Sequence, residues 1–180
     1  MTEATQSEVL VRAHGLAESA HGEINHVRKY TGEPYINHLT AVVDLVDDVD
    51  GTEDMMAAAW LHDVIEDTPT TYDDVREIVS ENVADLVLQL TDVSRPQDGN
   101  RAIRKAMDRE HLAKASPEAQ TIKLADLIDN ARSITKHDER FAKTFMLEMK
   151  DCMEVLTDGA PQLYRMAERI VAEWKERGVT

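Results

Sequence analysis

Apolar residues recur every three or four positions along most of this chain, the spacing of a helix face packed on a core. Few glycines and aromatics, with many Ala, Leu, Glu and Met, favour helix as well. A first helix is predicted from about Ser7 to His21, with Val9, Leu10, Ala13, Leu16, Ala17 and Ala20 inward; its His14 and His21, one heptad apart, read as a helix face. Gly22, Gly32 and Pro34 break the following stretch. A second helix, about Pro34 to Val49, sets His38 beside Leu39, Val42, Val43, Leu45 and Val46. A third is capped by Thr52 and ended by Thr68-Pro69, because the residue before a proline is pushed out of helical geometry. Thr70 or Thr71 caps a helix over Tyr72 to Val79, and Ser80 or Asn82 opens one carrying Val83, Leu86, Val87 and Leu90. After a loop from Thr91 to Asn100, Ser116-Pro117-Glu118 starts a helix running through Ile134, followed by helices over Asp138 to Leu156 and Pro161 to Arg177. The expectation is all-α: one domain over residues 1–180 with about eight to ten helices.

Charge narrows the partners. A net charge of −15 disfavours a general nucleic-acid or anionic-membrane binder, both of which need a basic face. A small phosphorylated ligand needs only a local basic patch, and the window from Arg95 to Lys114 is net positive, with Arg104 and Lys105 at its centre. That window reads equally as a solvated face pairing with acids elsewhere. A single cysteine, Cys152, rules out an internal disulfide, and the polar start from Met1 to Ser7 lacks a signal peptide's apolar run. The expected location is the cytoplasm, with no membrane association; oligomeric state is not readable.

The chemistry concentrates in Ala58-Ala-Trp-Leu-His62-Asp63-Val-Ile-Glu66-Asp67. His62 and Asp63 interrupt an apolar run from Met55 to Ile65, and a buried carboxylate must be paired, protonated or bound to a cation. If the stretch is one helix, His62, Asp63 and Glu66 share a face within a turn. Two carboxylates, Glu66 and Asp67, at a helix C-terminus oppose the dipole, which suits a place where a cation or a reaction uses them. A second acid, Asp126, lies among apolar neighbours in the long helix, with Asp129, Asn130 and Ser133 continuing its face.

The ordered set His38, His62-Asp63 and Asp126 resembles the signature of the HD-domain metal-dependent phosphohydrolases. More closely, the chain is similar to the small alarmone hydrolases, kin to the hydrolase domain of RelA/SpoT stringent-response proteins. Three blocks carry the match: Arg28-Lys-Tyr-Thr-Gly-Glu-Pro-Tyr-Ile-Asn-His38, Leu61-His-Asp-Val-Ile-Glu-Asp-Thr68, and Lys123-Leu-Ala-Asp126 with Asn130. The resemblance implies one divalent metal ion, usually Mn²⁺, on His38, His62, Asp63 and Asp126, with Glu66 and Asp67 activating the attacking water. It further implies that Arg28 or Lys29 lies against the nucleotide and that Asn130 contacts it; Ser133 is placed with them. The implied reaction is hydrolysis of the 3′-diphosphate of (p)ppGpp to GDP or GTP and pyrophosphate.

After the aspartate of the third block, many members of that family carry Lys or Arg and later His or Tyr, where this chain has Leu127 and Asp129. The same metal site could therefore serve another nucleotide, such as ppApp, NADPH or a nucleoside phosphate. A non-catalytic nucleotide-binding HD module is the alternative of another class.

Overall fold

The computed structural model describes residues 7–178, so the polar start before Ser7 lies outside the described residues. The chain divides into two compact units, one ending at Thr91 and one beginning at Asp92. Among the described residues the only pairing of extended backbone is an isolated antiparallel bridge between Val27 and Pro34.

In the first unit, α1 (Glu8–Glu23), α2 (Ile36–Asp47), α3 (Glu53–Leu61), α4 (Val64–Asp67), α5 (Tyr72–Ile78) and α6 (Glu81–Leu90) follow in order. The middle of α3 is Ala57-Ala58-Ala59, all fully buried, and these small side chains let α1, α2 and α6 approach it from different sides. Three predicted caps are in place. Thr52 accepts from the N–H of Met55, Thr71 forms a reciprocal capping box with Asp74, and Ser80 accepts from Val83. Between α2 and α3 the N–H of Gly51 bonds the Val46 carbonyl at 3.0 Å. A Cβ there would lie 2.7 Å from the Val46 oxygen, so only glycine makes this turn.

The predicted helix from Thr52 to Thr68 is broken in the middle. At Asp63 the backbone sits at φ −101°, ψ −2°, the bridge region, which separates α3 from α4. The imidazole Nδ1 of His62 bonds the Ala59 carbonyl at 2.8 Å, the oxygen that a continuous helix would offer to the N–H of Asp63. His62, Asp63 and Glu66 therefore do not share the face of one regular helix. The terminus is as expected: Thr68 is extended ahead of Pro69.

The second unit holds a 3₁₀ turn (Pro96–Asp98), α7 (Arg101–Leu112), α8 (Pro117–His137), α9 (Glu139–Met153) and α10 (Pro161–Glu176). Its spine is α8, with buried Ala119, Ile122, Leu124, Ala125, Leu127, Ile128, Ala131 and Ile134 packed against α9 and α10. Buried Gln120 and Thr121 accept from the N–H groups of Asp158 and Ala160, which seats the turn before α10 on α8. Asp108, 3 % exposed, accepts from the N–H groups of Val93 and Ser94 and from the Ser94 hydroxyl. Asp108→Ala would strand these donors, and we expect a loss of about 2–4 kcal/mol in urea unfolding; a loss below about 0.5 kcal/mol would show that water replaces the carboxylate. No helix is long and apolar enough to cross a membrane among the described residues.

Candidate active site

The first unit builds a buried polar cluster around the break between α3 and α4. His38, on the first turn of α2, is 1 % exposed, and His62 is 2 % exposed. Asp63 Oδ2 lies 3.1 Å from His62 Nε2 and 3.7 Å from His38 Nε2. A carbonyl oxygen can only accept, so the bond to Ala59 puts the hydrogen of His62 on Nδ1 and leaves Nε2 with a lone pair 3.1 Å from a carboxylate oxygen. Two electron-rich atoms at that separation call for a proton or a cation between them. Two imidazole nitrogens and a carboxylate oxygen converging in this way are a donor set that fits a first-row divalent ion, with the outer nitrogen of His62 held by a carbonyl as such ligands require.

Around this cluster lie residues that periodicity alone did not single out. The Tyr35 hydroxyl donates to Asp63 Oδ2 at 2.5 Å. The Tyr35 ring stacks on His26, with centroids 3.7 Å apart and planes 8° from parallel. His26 Nδ1 is 2.9 Å from His21 Nδ1 and 4.0 Å from Asp67 Oδ2. His14 and His21 part company: His14 meets the Trp60 ring edge to face, while His21 is buried. Burial, reinforced by the neighbouring His26, pushes the His21 pKa down to about 4, so it is neutral at pH 7. Its folded value lies below the unfolded 6.5, so the stability tied to its neutral form is lost as pH falls from 6.5 towards 4.

Glu66 and Asp67 end α4 and are both exposed. Arg28 and Lys29 occupy a loop that folds back on itself: the N–H of Arg28 bonds the Glu33 carbonyl, and that of Gly32, at φ 70°, bonds the Arg28 carbonyl. Lys29 Nζ lies 5.0 Å from the centroid of the Tyr30 ring.

In the second unit Asp126 is 4 % exposed on α8. Its Oδ1 accepts from Asn130 Nδ2 at 2.6 Å and its Oδ2 pairs with Lys123 Nζ at 2.8 Å, both from one turn away on the same helix. Asn130 thus orients this carboxylate, and Lys123 is a partner that spacing could have flagged. Leu127 is 8 % exposed and belongs to the core, while Asp129, Asn130 and Ser133 are half-buried. In α7, Lys105 pairs with Asp92 at 2.8 Å, Arg101 with Glu148 and Arg109 with Asp151. The Arg104 Nε is buried and has no hydrogen-bond partner among the described residues. Burial pushes the Cys152 thiol up, in keeping with a packing role.

The HD domain family model matches residues 13–156, four-fifths of the chain. The chain belongs to the HD-domain family. Within it, this HD-domain chain is 31 % identical over 135 residues to the guanosine-3′,5′-bis(diphosphate) 3′-pyrophosphohydrolase MESH1 of Danio rerio, covering 73 % of this chain and 72 % of that protein. It is 29 % identical over 160 residues to the guanosine-3′,5′-bis(diphosphate) 3′-pyrophosphohydrolase of Aquifex aeolicus, which covers 89 % of this chain but only 22 % of that protein. The chain thus spans about a fifth of the length of that relative. A solved structure of a metazoan ortholog of SpoT, described as hydrolyzing ppGpp, superposes with a TM-score of 0.83 at 27 % identity, covering 99 % of this chain and 100 % of that one.

Proposed function

We propose that this HD-domain protein is a metal-dependent phosphohydrolase that removes the 3′-diphosphate of (p)ppGpp, yielding GDP or GTP and pyrophosphate. The observation that carries the reading is the convergence of His38 Nε2, His62 Nε2 and Asp63 Oδ2 beside an exposed carboxylate pair. Relatives named for this reaction, one of them matched over most of its own length, support it.

In this reading Asp126 is the fourth ligand, held in orientation by Asn130. When bound, the divalent ion supplies Lewis acidity, acidifying water and offsetting the charge that develops on the phosphoryl oxygens. We propose Mn²⁺ as that ion, because a mixed imidazole and carboxylate set suits a hard to borderline cation. Glu66 takes the proton of the attacking water, with Asp67 beside it. The water oxygen bonds to the phosphorus carried on the ribose 3′-oxygen, the bond from that oxygen to phosphorus breaks, and the 3′-oxygen takes a proton from solvent to leave as the hydroxyl, Glu66 returning its own proton to solvent. Arg28 or Lys29 lies against the nucleotide, Asn130 and Ser133 contact it as well, and the work belongs in the cytoplasm as part of a stringent-type response.

Arg104 and Lys105 are the proposed phosphate contacts. Arg101 and Arg109 are tied to acids of α9 and Lys105 to Asp92, so Arg104 should matter more. Arg104→Ala should raise KM roughly tenfold with little change in kcat, and Lys105→Ala less, if both bind ground state and transition state alike. Unchanged kinetics for both would return the segment to a solvated face.

The deciding test is a Mn²⁺-supplemented screen of ppGpp, pppGpp, ppApp, NADPH and nucleoside phosphates, with Glu66→Gln as control. Pyrophosphate release from ppGpp that disappears in the control is expected. Turnover of another nucleotide with ppGpp untouched would favour the second reading, which Leu127 and Asp129 support by standing where many family members place a basic residue and later His or Tyr. Binding without turnover of anything would leave a nucleotide-binding module.

A further inference from the structure

The base of the loop carrying Arg28 and Lys29 is formed by two rings, His26 and Tyr35, that flank the bridge between Val27 and Pro34. The N–H of Tyr35 bonds the His26 carbonyl at 3.0 Å, so the backbone fixes the two residues opposite each other. Their rings stack almost in parallel, and the Tyr35 hydroxyl is delivered to Asp63 Oδ2, the same oxygen that faces His62 and His38. A phenol donating to a carboxylate forms a charge-assisted hydrogen bond, stronger than a neutral one and more directional. Asp63 needs such a guide because its backbone lies at the break between α3 and α4, where no regular helix sets its rotamer.

We propose that Tyr35 is a positioning residue for the metal site: it fixes the Asp63 carboxylate for the divalent ion, and His26, stacked on its ring and backed by His21, fixes Tyr35. The inference rests on the proposed function only for the existence of the ion. Outer groups that orient metal ligands typically account for roughly 10–100-fold in metal affinity. Tyr35→Phe keeps the ring and its stack and deletes only the hydroxyl. His26→Ala deletes the stack, and His26→Phe restores a flat ring.

The experiment is calorimetric titration of the metal-stripped full chain with Mn²⁺ alone, with circular dichroism and melting temperature run alongside. Tyr35→Phe is expected to raise the Kd by roughly 10–100-fold with an unchanged spectrum and only a small drop in melting temperature. His26→Ala should weaken binding by roughly 3–10-fold and His26→Phe should recover most of that loss. Tyr35→Phe binding as tightly as the wild type would overturn the proposal, as would His26→Phe behaving like His26→Ala, or a wild-type chain that takes up no Mn²⁺. Nucleotide turnover is not needed for the readout, so failure of every nucleotide in the screen, with this pattern of Kd values intact, would sink the proposed reaction and leave the role of Tyr35 standing.

Discussion

Glu66→Gln should lower kcat for pyrophosphate release by roughly 10²–10⁴-fold, the range that a positioned proton acceptor contributes. Gln has nearly the same volume and is also exposed at the end of α4, so packing is unaffected, but its amide cannot take a proton. Because Glu66 is not among the proposed metal ligands, Mn²⁺ uptake by the variant should match the wild type, and KM should move little. The two measurements together separate loss of the base from loss of the ion. Asp67→Asn should have a smaller effect, since Asp67 lies 4.0 Å from His26 Nδ1 and part of its role is to face that ring. A Glu66→Gln enzyme within tenfold of wild-type kcat would remove Glu66 from the chemistry and move the burden to Asp67.

The second large effect is expected at the proposed metal ligands. His62→Ala and Asp63→Asn should each abolish stoichiometric metal, read by elemental analysis of the purified protein, and reduce hydrolysis by more than the roughly 100-fold that outer residues command. Asp63→Asn is the cleaner of the two. The amide oxygen can still accept from the Tyr35 hydroxyl, so the neighbourhood stays packed while the anionic donor is lost. His62→Ala also empties a fully enclosed site, which costs stability as well as affinity. EDTA should silence the wild-type enzyme, and Mn²⁺ should restore it but not the two variants. Hydrolysis that survives both EDTA and Asp63→Asn would mean the reaction uses no ion at this site.

How much of this was legible in the residues depends on whether the cause is local. Thr52, Thr71, Ser80 and Ser116 all make the side-chain caps their positions promise, because a cap is settled within three residues. The outline of α8 and the burial of Asp126 followed from helical periodicity in the same way. The break at Asp63 did not, since the apolar run reads as continuous helix. What interrupts it is a carbonyl taken by the His62 ring and a carboxylate claimed by Tyr35, twenty-eight residues earlier. His26 was equally hidden, as a polar residue in a Gly-containing loop whose partner is fixed by a single bridge. In the basic window, the acids holding Arg101 and Arg109 sit 47 and 42 residues downstream, beyond any spacing rule. The family blocks group His38, His62, Asp63 and Asp126 as one implied set, which periodicity could only present as separate polar residues in apolar surroundings.

The self-closing loop between His26 and Tyr35 has a thermodynamic corollary. It carries Arg28 and Lys29 in its turn and holds Asp63 through Tyr35 at its base, so in the proposed reaction its ordered form would serve both the ion and the nucleotide. If the ion and the phosphorylated ligand both favour the ordered loop, each raises the other's affinity by the same factor, because linkage between two binding events is reciprocal. Occupancy by metal in the cell would then depend on how much nucleotide is present, and the protein would load its ion most completely when there is substrate to consume.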